Sequence, residues 1–251
     1  MKKIGIIGYG TIGRFIVEQL KDNHNIEILF VYDPFIDTPD EISDIHVITL
    51  DESLVKSVDL VVEAAISEVV HKYCELILTH TDFVIFSATA LANDTYEELI
   101  KKTAKENNTT CYIPHGAALG LDGIFDANSL IKSVEIVTTK KPQGFSINCS
   151  SKSLLYEGST RGACLAYPRN VNIHASIALA GIGMDNTYSR IIADPDIPGN
   201  THVISVVGDG INFSITIEST PLGQVTGVYT PRSALGSVIR ILNNEKGINF
   251  V

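Results

Sequence analysis

Lys3-Ile4-Gly5-Ile6-Ile7-Gly8-Tyr9-Gly10-Thr11-Ile12-Gly13 decides the fold of this chain: an apolar run meets glycines at fixed spacing, and a helical pattern follows at once. Gly8 permits a tight strand-to-helix turn, Gly10 lets backbone approach a pyrophosphate, and Gly13 allows the helix to pack closely on the strand. Ile12, Phe15, Ile16 and Leu20 then share one face of the segment Thr11 to Leu20. Phosphates at such a turn meet the N–H groups of a helix start, so Gly8, Gly10, Thr11, Ile12 and Gly13 are expected to hold a dinucleotide.

Asp33 ends the next apolar run, twenty positions past Gly13. A carboxylate there accepts hydrogen bonds from a ribose 2′-hydroxyl and repels a 2′-phosphate, which predicts NAD in preference to NADP. The competing reading takes Asp33-Pro34 as a turn signal alone.

Up to residue 114, apolar runs alternate with helical patterns. Glu27 to Tyr32, Leu60 to Glu63, Phe83 to Phe86 and Cys111 to Ile113 read as strands. Val69, Tyr73, Leu76 and Ile77 make one helix face, and Tyr96, Leu99, Ile100 and Ala104 another. This predicts an α/β, Rossmann-type, doubly wound parallel sheet over residues 1–114. Past Pro114 the runs Val134 to Thr139, Arg190 to Ala193, His202 to Val207 and Asn212 to Glu218 alternate or are β-branched. They predict a second α+β domain over 115–230 with a mostly antiparallel sheet, helical at Ile173 to Leu179 and otherwise without regular helices between its strands. A terminal helix, about 231–251, is expected to pack back on the first domain.

The 251 residues, 45% hydrophobic and 19% charged, suit one large domain or two modest ones. A formal net charge of −10 argues against nucleic acid or an anionic membrane as partner. No apolar stretch reaches the roughly 18 to 20 residues of a membrane span, and the chain enters a strand at once, so a cytoplasmic protein is expected. The four cysteines form no CxxC pair, which predicts neither a metal site nor a disulfide framework.

Hydride chemistry on carbon bearing nitrogen or oxygen needs a proton carrier, and histidine is the usual one near neutral pH. Of seven histidines, His24 and His80 read as surface residues, and His46 and His71 as satisfied structural ones. His115, His174 and His202 remain, beside turn or small residues after the first domain. Periodicity does not choose among the three.

Val134 to Pro142, Leu155-Tyr156-Glu157-Gly158-Ser159-Thr160-Arg161-Gly162-Ala163, Tyr167-Pro168-Arg169-Asn170-Val171-Asn172, and Ala193-Asp194-Pro195 through Asn200-Thr201-His202 resemble the L-aspartate dehydrogenase family in order and spacing. The resemblance covers nearly the full chain. It implies reversible NAD(P)-dependent oxidative deamination of L-aspartate to iminoaspartate, or oxaloacetate and ammonia, in some members feeding NAD biosynthesis. It further implies that His202 is the catalytic histidine, that Ala117 and Asn172 contact the cofactor, and that a homodimer forms through the second domain's sheet. The plainer readings are packing for Ala117 and helix N-capping for Asn172. Lys140, Lys141, Arg161 and Arg169 are candidates to hold the substrate carboxylates. Two positions depart from the family pattern: His115 stands where a serine is more familiar before Gly116-Ala117, and His174 replaces a small residue. The alternatives are another two-domain amino-acid dehydrogenase or imine reductase, and a non-catalytic NAD(H)-binding redox sensor.

Overall fold

The computed structural model describes residues 1–222 and 226–243. The described chain divides into two units between Pro114 and His115, and from Pro231 it rejoins the first unit.

The first unit alternates β1 (Lys2–Ile7), α1 (Thr11–Leu20), β2 (Ile26–Tyr32), β3 (His46–Val47), α2 (Glu52–Lys56), β4 (Leu60–Glu63), α3 (Ser67–Leu78), β5 (Asp82–Ile85), α4 (Asp94–Asn107) and β6 (Cys111–Tyr112). Its sheet runs β3-β2-β1-β4-β5-β6 with every pair parallel. This is the predicted doubly wound sheet. The order reverses between β1 and β4, which sets their C-terminal ends side by side at the switch point where such sheets take ligands. All four residues of β4 are buried, as a strand covered on both faces requires. On α3 the buried row is Val70, Tyr73, Cys74, Ile77 and Leu78. The apolar stripe is wider than one row of side chains, so Val69 and Leu76 flank its centre and do not form it.

In the second unit α5 (Leu121–Asp126) precedes β7 (Ile131–Lys140), β8 (Ser153–Ser159), α6 (Thr160–Ala166), α7 (Asn172–Ala180), β9 (Thr187–Ala193), β10 (Asn200–Gly208) and β11 (Asn212–Ser219). The sheet order is β11-β10-β7-β9-β8, antiparallel except for the parallel β7–β9 pair. Two helices, α6 and α7, stand between β8 and β9, correcting the expectation of a single one at Ile173 to Leu179. β8 carries no clean alternation because its register shifts between Leu154 and Tyr156.

Alternate residues of three neighbouring strands are buried on one face: Val134, Ile136, Thr138 and Lys140 of β7, Thr187, Ser189, Ile191 and Ala193 of β9, and Asn200, His202, Ile204 and Val206 of β10. Leu121 and Ile124 of α5 and Ile173 and Ile177 of α7 pack with Val134, Ile136, Ile204 and Val206 as one core. Toward the C-terminal end of β7 the same face turns polar, at Thr138, Lys140, Asn200 and His202.

The short pair β12 (Pro221–Leu222) and β13 (Thr226–Gly227) leads into α8 (Tyr229–Leu242). Ala234, Val238 and Leu242 of α8 are buried in the first unit's core with Ile4, Ile6 and Ile16. The rest of the terminal segment, from 244 to 251, lies outside the described residues.

Candidate active site

In the first unit, β1 ends in a turn that only its glycines permit. Gly8 has φ +92°, and a Cβ on Gly13 would clash with the Gly8 carbonyl oxygen, so α1 rests directly on the turn. At Gly10 an added Cβ would meet nothing within 4 Å. Gly10 is also the N-cap of α1 and supplies no side-chain cap, which leaves the helix start to backbone donors alone. Thr11 is exposed and Ile12 half-buried there. An open glycine beside uncapped N–H groups is the cradle a pyrophosphate needs, and the residues fit a dinucleotide.

Asp33 is built into this turn. Its Oδ2 accepts the Tyr9 backbone N–H at 2.9 Å and its Oδ1 accepts the Phe35 N–H at 3.1 Å, which joins the end of β2 to the glycine turn. The Phe35 bond is the local turn of the competing reading; the Tyr9 bond goes beyond it. The Arg14 guanidinium lies 5.2 Å from the Tyr9 ring centroid. Glu63, at the end of β4, was not singled out in the sequence. Its fully buried carboxylate accepts from Ser87 Oγ at 2.7 Å, Ser87 N at 3.0 Å and Ala65 N at 2.7 Å. Burial pushes its pKa up to about 7 against the pull of those donors.

The seven histidines separate by their partners. His24 is exposed, and His80 lies 3.3 Å from Glu52. His46 bonds to Thr38 Oγ1 and the Asp33 carbonyl, while His71 bonds to the Ala90 carbonyl and stacks on Tyr96. His115 is half-buried, just before Gly116 at φ +56°. His174 and His202 are joined. β10 sets His202 directly opposite Thr138 of β7, and the Thr138 hydroxyl lies 2.8 Å from His202 Nδ1 and 2.6 Å from His174 Nε2. Beyond it, His174 Nδ1 lies 2.8 Å from Ser189 Oγ, itself 2.7 Å from Thr160 Oγ1.

Burial first, and the Lys140 ammonium second, lower the His202 pKa to about 3. His174 is driven well below the ordinary histidine value by burial, then by His202 and Lys140. Both rings are therefore neutral at neutral pH. Among the four cations, the structure distinguishes Lys140, buried two residues from Thr138 on the same face of β7. Its Nζ donates to the Asn170 carbonyl at 3.2 Å, and burial lowers its pKa to about 8. Arg161 makes a two-pronged bond to Asp185, at 2.7 and 2.8 Å. Lys141 and Arg169 are exposed.

Asn172 is the first residue of α7 and Val171 its N-cap, so the capping alternative does not hold. Ala117 packs, half-buried, against the second unit's core, in keeping with its plainer reading. Among the described residues no group of three or more His, Cys, Asp or Glu is arranged to hold a metal ion.

Two family models match the chain: "Homoserine dehydrogenase, NAD binding domain" over residues 8–114 and "Aspartate dehydrogenase, C-terminal" over 122–241. Together with the parallel sheet and its glycine turn, they define an oxidoreductase that uses a pyridine nucleotide. An L-aspartate dehydrogenase of Methanococcoides burtonii is 34% identical over 242 residues, 88% of this chain and 89% of the relative. One from Thermotoga maritima is 31% identical over 95% of both chains. The crystal structure of a Thermotoga maritima aspartate dehydrogenase covers 100% of both chains with a TM-score of 0.81 at 27% identity. The chain belongs to the aspartate dehydrogenase family.

Proposed function

We propose that the protein catalyses the reversible NAD(P)-dependent oxidative deamination of L-aspartate to iminoaspartate, which water converts to oxaloacetate and ammonia. The likeness to aspartate dehydrogenases over both units carries this reading. When bound, the nucleotide supplies the hydride acceptor for the substrate Cα. His202, buried and neutral, takes a proton from the amine as the imine forms, and in reverse the imidazolium returns it. A bound dicarboxylate offsets the charge that this protonation creates. Lys140, the buried cation on the same face, holds one carboxylate. Asn172 offers a donor and an acceptor to the nicotinamide carboxamide, and Ala117 keeps its neighbourhood clear.

The placement of Asp33 supports NAD over NADP. A homodimer through the second sheet is supported by Leu154, Tyr188 and Val207, exposed on the face opposite the helices. Iminoaspartate is then available to pyridine-nucleotide biosynthesis.

The test follows NADH absorbance with oxaloacetate and ammonia, with other 2-oxo acids alongside. Oxidation that requires both oxaloacetate and ammonia is expected. Turnover on a different 2-oxo acid alone, or saturable NADH binding without turnover on any, overturns the reading, the latter in favour of a redox sensor.

A further inference from the structure

Five side chains from five elements form one unbranched hydrogen-bond chain: His202 of β10, Thr138 of β7, His174 of α7, Ser189 of β9 and Thr160 of α6. Four of them are 0% exposed and His202 is 4% exposed. The chain ends where Thr160 Oγ1 meets the Thr187 backbone carbonyl at 3.1 Å. A carbonyl has no hydrogen to give, so Thr160 donates there and its oxygen is left to accept from Ser189.

Each later bond then has one direction. Ser189 has spent its only hydrogen, so its oxygen accepts from His174 Nδ1–H. A neutral imidazole carries one N–H, and His174 Nε2 therefore accepts from the Thr138 hydroxyl. Thr138 has in turn spent its hydrogen and accepts from His202 Nδ1–H. The opposite sense would set the Thr160 and Thr187 oxygens against each other with no hydrogen between them.

We propose that this chain fixes the tautomer of His202, with the proton on Nδ1 and the lone pair on Nε2, and that His174 is its central positioning residue. The inference rests on the reading of His202 as the proton acceptor. It explains why a histidine at position 174 is useful, since an imidazole accepts at one nitrogen and donates at the other. The same bonds survive catalysis: when Nε2 takes a proton, Nδ1–H still donates to Thr138, so nothing in the chain has to turn over. Lys140 is the charged group acting on both rings, and it disfavours a proton on either in the free protein.

The decisive measurement needs neither substrate nor nucleotide. In protein labelled with 15N-histidine, long-range 1H–15N correlations are expected to show His202 protonated at Nδ1 and bare at Nε2 at pH 7. A proton on Nε2 overturns the proposal, whatever the variants do. His174→Leu removes both hydrogen-bonding functions. It is expected to lower kcat by about tenfold or more, with the KM for NADH unchanged, and to give His202 a mixed tautomer signal. His174→Gln keeps one acceptor and one donor and is expected to restore both readouts; a Leu variant with the wild-type tautomer and kcat overturns the proposal. If His174→Leu does not fold, Ser189→Ala tests the same link and is expected to mix the His202 signal. Failure of the catalytic reading is read separately: His202→Ala would retain activity while the wild-type tautomer stayed as proposed.

Discussion

The Asp33 carboxylate accepts the Tyr9 backbone N–H at 2.9 Å, so the acid at the end of β2 and the glycine turn after β1 are one structural unit. Hydrogen bonds to charged groups contribute about 1.5 to 3 kcal/mol each. Asp33→Ala is expected to raise the KM for NAD by roughly tenfold or more and to narrow the NAD/NADP preference. Steady-state kinetics with both nucleotides checks it. A wild-type preference for NADP would shift the assignment to Arg14, the cation lying over Tyr9.

Residue type alone would have His202 titrate near the ordinary histidine value of about 6.5. The structure corrects this: burial and Lys140 hold it at about 3. The unfolded chain binds a proton near pH 6.5 that the folded protein refuses, so stability is full above that value and falls as pH drops toward 3. Between pH 6.5 and 5 most carboxylates stay ionised, but buried Glu63, with its pKa raised to about 7, gains a proton in the folded protein and offsets part of the stability that His202 and His174 together lose. A net loss of about 1 to 2 kcal/mol over these pH values is expected in denaturant melts, and His202→Gln should reduce it. In the deamination pH profile, no limb near 6.5 should be attributable to His202. His202→Ala is expected to lower kcat by at least about a hundredfold while NADH binding is retained.

The first unit was the more legible because its signals are local. Gly8, Gly10 and Gly13 report backbone geometry within one turn, and Asp33 lies at the end of the next strand. In the second unit the functional contacts are non-local: Thr138 meets His174 across 36 positions and His202 across 64. Thr138, Ser189 and Thr160 are ordinary β-sheet and helix-start residues, and nothing in their types announces a polar chain inside a core. Resemblance to a family pointed to His202, while the link to His174 became visible only when β7, β9 and β10 put alternate residues on one face. Among the cations, sequence offered four equals, and burial separated Lys140 from the rest.

Lys140 makes a double prediction, because a buried ammonium with its pKa lowered to about 8 costs folding free energy at pH 7. Lys140→Met keeps a chain of similar length and removes the charge. The free protein is expected to gain thermal stability, while the KM for L-aspartate and oxaloacetate rises by about tenfold or more and that for NAD stays unchanged. Loss of stability together with unchanged substrate KM would show that Lys140 is structural.

Gly10 and Gly13 lie three residues apart and are expected to respond differently to the same methyl group. At Gly13 a Cβ runs into the Gly8 carbonyl oxygen, a backbone atom that cannot move without lifting α1 from the turn. Gly13→Ala should therefore cost about 1 to 3 kcal/mol of stability, the range for overpacking, visible as a lower midpoint in denaturant. At Gly10 the methyl enters open space, and Ala at this N-cap costs at most about 1 kcal/mol relative to Gly, so Gly10→Ala should fold with little loss of stability. Its main defect appears in nucleotide binding, as a weaker Kd for NADH by fluorescence titration, because the methyl occupies the space the pyrophosphate needs. Unchanged NADH affinity in Gly10→Ala would mean that the phosphates do not approach α1 at this glycine.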